Sequence, residues 1–145
     1  MSARLDTAYL NRLRAALHTY ADRRHEIIKR SSDALHLAKR VIFALHREDK
    51  KEAAEKLQAA NQILMEIGKT YKKEPLLLEQ GAYLAALEEF VEARLFSDFI
   101  GRGKIGKIIG LTVPDETYLA GLCDVPGELY RYAIRAATKR DHAGV

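Results

Sequence analysis

The chain runs from Met1 to Ile67 without a glycine or a proline. Within it, apolar residues stand at 10, 13, 17, 20, 27, 35, 38, 42 and 45. Those intervals are mostly three, four or their sums, which is the helical period. The stretch predicts one very long helix, or two with a break near Ser31-Ser32-Asp33, a group that can N-cap. A second helix is expected from about Asp49 to Ile67, stopped by Gly68. A third should start near Pro75, a good first-turn residue, and run to about Ile100 with Gly81 inside it. Residues 101–115 form a flexible glycine-rich connection. A fourth helix is expected over about 116–138, and the tail 142–145 should fray. The only β-like run is KIIGLTV, 107–113, which is short and has a central glycine. The fold class that follows is all-α, a bundle of long antiparallel helices in one domain over residues 1–145.

Composition narrows the class. Of the 145 residues, 48% are hydrophobic and 30% charged, which suits an ordered, soluble chain. No apolar run approaches the roughly 18 residues of a membrane span, so no membrane partner is expected. Met1-Ser2-Ala3-Arg4 opens without the apolar core of a signal peptide, and a cytoplasmic location is the default. The single cysteine, Cys123, excludes an internal disulfide and a cysteine-based zinc site.

The net charge of +4 is unevenly spread. Residues 1–47 hold ten Lys/Arg against four Asp/Glu, a net +6, suited to a polyanion. Residues 79–100 hold five acids against Arg94 alone, a net −4, suited to a cation.

Several motifs fail on context. GRGKIG, 101–106, fits G-x-G-x-x-G by letter, but a helix rather than a strand precedes it. As a P-loop it lacks the Ser or Thr after lysine, since position 108 is Ile. A loop bringing Arg102, Lys104 and Lys107 to solvent or phosphate is the simpler reading. The five histidines show no metal spacing, and His46 reads by itself as an ordinary helix-surface residue. No nucleophile elbow is present, and Cys123 beside an acid is poorly placed to form a thiolate.

Acids on two helices are more informative. In LAALEEFVEARLF, 84–96, Glu89 and Glu92 are i and i+3 and share a face. Apolar residues wrap most of that helix, so its carboxylates need a cation, an arginine or a metal. The plain alternative is a thin polar stripe of Glu88 and Glu92. In CDVPGELYR, 123–131, Asp124 and Glu128 flank Pro126-Gly127. On a continuous helix, i and i+4 face the same way; in a turn, Asp124 would cap a fresh helix. Two pairs of acids suit a hard divalent cation such as magnesium, which keeps waters for substrate phosphates. A ferritin-like di-iron centre would require Glu-x-x-His pairs, and none exists.

Three blocks carry a family resemblance. SSDALHLAKRVIFALHR, 31–47, resembles the first long helix of the factor X branch of the translin family. LEEFVEA, 87–93, is similar to that family's Gln-Glu-Tyr-Val-Glu-Ala segment. YLAGLCDVPGELYRYAI, 118–134, resembles its Tyr-Leu-x-Gly-Val-x-Asp-Leu-Thr-Gly-Glu-Leu-x-Arg segment. The blocks come in family order and span about residues 25–140. The resemblance implies an all-α protein that binds single-stranded RNA and DNA and assembles into hollow oligomers, as a homo-oligomer or with a translin-like partner subunit. It also implies a magnesium-dependent endoribonuclease, with manganese as a substitute, whose metal-binding and catalytic acids fall on Glu89, Glu92, Asp124 and Glu128. Lys39, Arg40, His46, Arg47 and Arg131 match the family segments as nucleic-acid-binding residues. The chain departs from the pattern at Glu88, where the family has Gln, and at Pro126, where it has Thr. Family members also continue through further helices where this chain stops at Val145.

Three functions follow as expectations. The first is hydrolysis of single-stranded RNA by water activated at the four acids. The second is a translin-like oligomer that holds RNA or DNA without cutting it. The third is a helical interaction domain with no nucleic-acid role. The match on both sides of Pro126-Gly127 favours a continuous or kinked helix there, with Gly127 allowing close helix approach.

Overall fold

The computed structural model describes residues 5–143, with side chains described as far as Lys139. Among them the chain forms five helices and no strand: α1 Thr7–His46, α2 Lys50–Thr70, α3 Pro75–Leu78, α4 Gly81–Arg102 and α5 Asp115–Ala143. The all-α expectation is met. Residues 144 and 145 of the tail lie outside the described residues.

The first helix is a single rod of 40 residues, about 60 Å long at 1.5 Å per residue, with no break at Ser31-Ser32-Asp33. Its start is set by Asp6, whose carboxylate accepts from the Tyr9 N–H at 2.9 Å. Ile27, Ala34, Ala38, Val41, Ile42 and Leu45 enter the core, and α1 packs there on α2 and α4. Residues 5–26 are exposed on every side, including Leu10, Leu13, Leu17 and Tyr20. Before Arg23, which bonds to Glu74, α1 projects beyond the bundle with an apolar stripe that none of the described residues covers.

A tight corner follows. Glu48 takes φ +64°, and Asp49 caps α2 by accepting from the Glu52 N–H at 2.9 Å. Gly68 does not end α2, which continues to Thr70. A Cβ at Gly68 would lie 3.1 Å from the Tyr83 hydroxyl, so its smallness serves packing against α4. The expected third helix from Pro75 to Ile100 is divided. Pro75 opens the one-turn α3, the chain bends at Glu79-Gln80, and Gly81 begins α4 rather than lying within a helix.

α4 is the central element, in contact with α1, α2 and α5. Phe90, Val91, Leu95 and Phe96 are fully buried. It extends to Arg102, so the first residues of GRGKIG are helical, and Gly103 caps it in the left-handed region at φ +64°. The connection is therefore 103–114, and KIIGLTV forms no strand.

α5 runs without interruption through Pro126. Its close approach to α4 depends on a different glycine from the one expected. A Cβ at Gly121 would sit 2.6 Å from the Glu88 carbonyl oxygen and 2.8 Å from Val91 Cβ, whereas a Cβ at Gly127 meets nothing within 4 Å. Gly121 thus lets α5 lie against α4, and with it sets Asp124 and Glu128 beside Glu89 and Glu92.

Candidate functional site

A cleft of about 880 Å³ opens where α1, α4 and α5 meet. Glu89 and Glu92 reach it from α4, and Glu128 and Arg131 from α5; α1 supplies Lys39 and His46, and Arg47 follows as its C-cap. Seven of the residues singled out in the sequence therefore share one cavity. Two do not line it. Arg40 is an exposed residue of α1, and Asp124 is exposed on α5. The charge of Asp124 is nevertheless felt at both Glu89 and Glu92, so it stands at the rim of the same acidic group.

The acids occupy different environments. Glu92 is only 9% exposed, which rules out the thin solvated stripe. Burial pushes its carboxyl up to about 7, and the charges of Glu89, Glu128 and Asp124 add to the shift. No cation among the described residues lies within ion-pair distance of it. Glu89 is half-buried and also raised, first by burial and then by Asp124 and Glu88, while Lys39 at 3.7 Å opposes the shift.

Glu128 is 7% exposed and doubly held. His46 Nε2 donates to one carboxylate oxygen at 2.5 Å, and Arg131 Nη1 donates to the other at 2.5 Å. His46 is buried, not the surface residue its local sequence suggests. Its ring lies 5.3 Å from that of Phe96 and 6.4 Å from that of Tyr132. With Nε2 donating, Nδ1 has no partner among the described residues. Phe96 and Tyr132 meet edge-on at 6.1 Å and close the wall behind the imidazole.

The basic character of α1 is partly spent within the fold. Arg23 pairs with Glu74 at 2.7 Å, Arg30 with Glu66 at 2.5 Å and Arg47 with Glu52 at 2.6 Å. The acidic excess is likewise partly answered, since Asp98 pairs with Arg94 and Arg102. Within the acid group, and among the described residues, Glu92 and Asp124 have no ion-pair partner and Glu89 has only Lys39.

A model of the translin family matches residues 22–144. The chain belongs to the translin family. A solved structure described as apo-NeC3PO is 25% identical, covers 95% of this chain and 72% of that one, and superposes with a TM-score of 0.82. AfC3PO is 30% identical over 92% of this chain and 68% of its own, with a TM-score of 0.79; its complex with duplex RNA gives 0.78. A comparison with curated proteins finds no match.

The fit of this translin-family cleft to a divalent cation can be tested on its own atoms. Every acidic donor is a carboxylate oxygen, the type that magnesium takes. Glu92 is buried among like charges, a state a cation relieves. Against this, no three Asp, Glu, His or Cys side chains among the described residues converge in ligand geometry. The reason is visible in the contacts: Glu128 is turned to His46 and Arg131, Glu89 leans towards Lys39, and Asp124 stays at the rim. The donor set fits in kind and in charge, and gathering the four acids requires side-chain rotation.

The site also contains Arg135 and Tyr132, which are not among the candidates singled out in the sequence. Arg135 lines the cleft one turn after Arg131, and that i+4 spacing was the available signal. Nothing local marked Tyr132 as a wall residue.

Proposed function

We propose that this translin-family chain belongs to the factor X branch and is a magnesium-dependent endoribonuclease acting on single-stranded RNA. The observation that carries this reading is Glu92, a buried carboxylate with no ion-pair partner among the described residues, sharing an open cleft with Glu89 and Glu128. Glu89, Glu92, Asp124 and Glu128 would hold magnesium or manganese. When bound, the ion would supply activation of water and stabilisation of charge on the phosphate.

The remaining roles fall to this chain's own residues. Lys39, Arg131 and Arg135 offer positive charge to phosphates from the walls of the cleft. Arg47 can join them, although it shares its guanidinium with Glu52. His46 orients Glu128, and the Phe96–Tyr132 contact shields the imidazole from solvent. AfC3PO in complex with duplex RNA supports an RNA ligand for a chain of this fold. Assembly with further translin-like subunits is supported by the uncovered stripe on the first half of α1.

The direct test is incubation of labelled single-stranded RNA with the chain, in magnesium and in excess chelator. Internal cleavage in magnesium alone supports the reading, and intact RNA in both overturns it. The second reading, a non-catalytic module that holds RNA or DNA, draws on the unconverged acids. Its signature is binding that weakens steeply with salt and no cleavage under either condition. A helical interaction domain with ordinary surface acids is disfavoured by the burial of Glu92 and Glu128.

A further inference from the structure

Phe43 is 59% exposed, while Phe90 and Phe96 are fully buried. Its ring lines the cleft midway along the α1 wall, between Lys39 and Arg47, one helical turn to either side. Arg131, Ile134 and Arg135 line the same cleft from α5. Ile134 is itself 48% exposed. Isolated surface apolar residues need no explanation. An accessible aromatic face among four cations, beside a cluster of carboxylates, is a specific combination. Strand-binding grooves pair positive charge for the backbone with aromatic faces on which bases stack.

We propose that Phe43 is a stacking platform for one unpaired nucleobase, with Ile134 as an apolar wall of the same cleft. Stacking there would seat the neighbouring phosphate among Lys39, Arg47, Arg131 and Arg135, next to Glu89 and Glu92. The inference rests on the nucleic-acid reading above and deepens it: Phe43 acts as a positioning residue that favours strands with accessible bases. A base inside a duplex has both faces covered by its neighbours and cannot use the platform. Phe43 makes this contact whatever the base, because every base has a π-face.

The experiment compares wild type with Phe43→Leu and Phe43→Trp, in chelator so that RNA stays intact. Affinities are read by fluorescence anisotropy for a labelled single-stranded RNA, the same strand with abasic positions, and a blunt duplex. Phe43→Leu is expected to weaken binding of the base-bearing strand by about five- to a hundredfold. It should leave abasic-strand and duplex affinities unchanged, and Phe43→Trp should restore the lost affinity. Because Phe43 is exposed, thermal midpoints should match wild type. Equal affinity of Phe43→Leu and wild type for the base-bearing strand overturns the stacking role. So does an equal loss on the abasic strand, which would point to a change in the groove itself. Phe43-dependent binding of an acidic, leucine-rich peptide, with Phe43-independent binding of RNA, would assign the surface to a protein partner instead. If wild type binds none of the three nucleic acids, the nucleic-acid reading fails first and the stacking role with it.

Discussion

His46 Nε2 lies 2.5 Å from Glu128 Oε2, and both side chains are buried although 82 positions separate them. The contact ties the end of the long first helix to the middle of α5. A buried carboxylate needs such a donor, and Glu128 has a second in Arg131. The two donors hold both oxygens and so set the direction in which Glu128 faces the cleft. The pair explains why an α5 interrupted by Pro126 would serve poorly. The helix must keep its rotation from Gly121, where it touches α4, to Glu128, where it meets α1.

Glu92 predicts a specific pH dependence of stability. Its carboxyl is raised from the ordinary glutamate value of 4.5 to about 7 in the folded chain. The native state therefore binds the proton more tightly than the unfolded chain does. The stability this contributes is fully present below pH 4.5 and is lost as pH rises through 7. Glu92→Gln removes the titration. Its thermal midpoint should exceed that of wild type by a few degrees at pH 8 and differ little at pH 5. Magnesium at pH 8 should raise the wild-type midpoint and leave that of Glu92→Gln nearly unchanged. A wild-type midpoint that does not fall between pH 5 and 8 relative to Glu92→Gln would contradict this account of the carboxyl.

Two glycines on one helix should respond in opposite directions to the same substitution. Gly121→Ala drives a Cβ to 2.6 Å from the Glu88 carbonyl oxygen, where backbone cannot yield cheaply. A loss of about 1–3 kcal/mol is expected, typical of overpacking. Gly127→Ala meets open space and replaces a poor helix former with the best one, a gain of about 0.5–1 kcal/mol. Urea denaturation of both variants checks the pair, and the assignment of close approach to Gly121 is lost if their signs are reversed.

The free half of α1 predicts a surface effect without a folding effect. Leu13 and Leu17 are 43% and 67% exposed and contribute to no core. Leu13→Asp combined with Leu17→Asp should leave the circular dichroism spectrum helical. If this stripe joins subunits, the double variant should sediment as a smaller species than wild type. Identical sedimentation would place the subunit contacts elsewhere.

Helix type was legible in the sequence because long segments carry the helical period and few residues that oppose it. Boundaries were less so. Gly68 resembles a stop signal, but the space against Tyr83 explains it as packing. Gly81 resembles an internal blemish and is a helix start. The acids could be found from their spacing on two helices, and the resemblance joined them. Burial of His46 could not be found this way, because it depends on where α5 lies rather than on any neighbour of His46. The same holds for Asp124, whose exposure at the rim follows from the rotation of α5 and not from its i, i+4 relation to Glu128.

The most direct measurement is magnesium-dependent cleavage of single-stranded RNA by wild type, Glu92→Ala and Asp124→Ala side by side. Circular dichroism would show that each variant is folded. The account predicts cleavage by wild type and a loss of about a hundredfold or more in each variant, as expected when charge stabilisation at the reacting phosphate is removed. Cleavage at the wild-type rate in both variants would contradict it, because the acid cluster would then have no part in the chemistry.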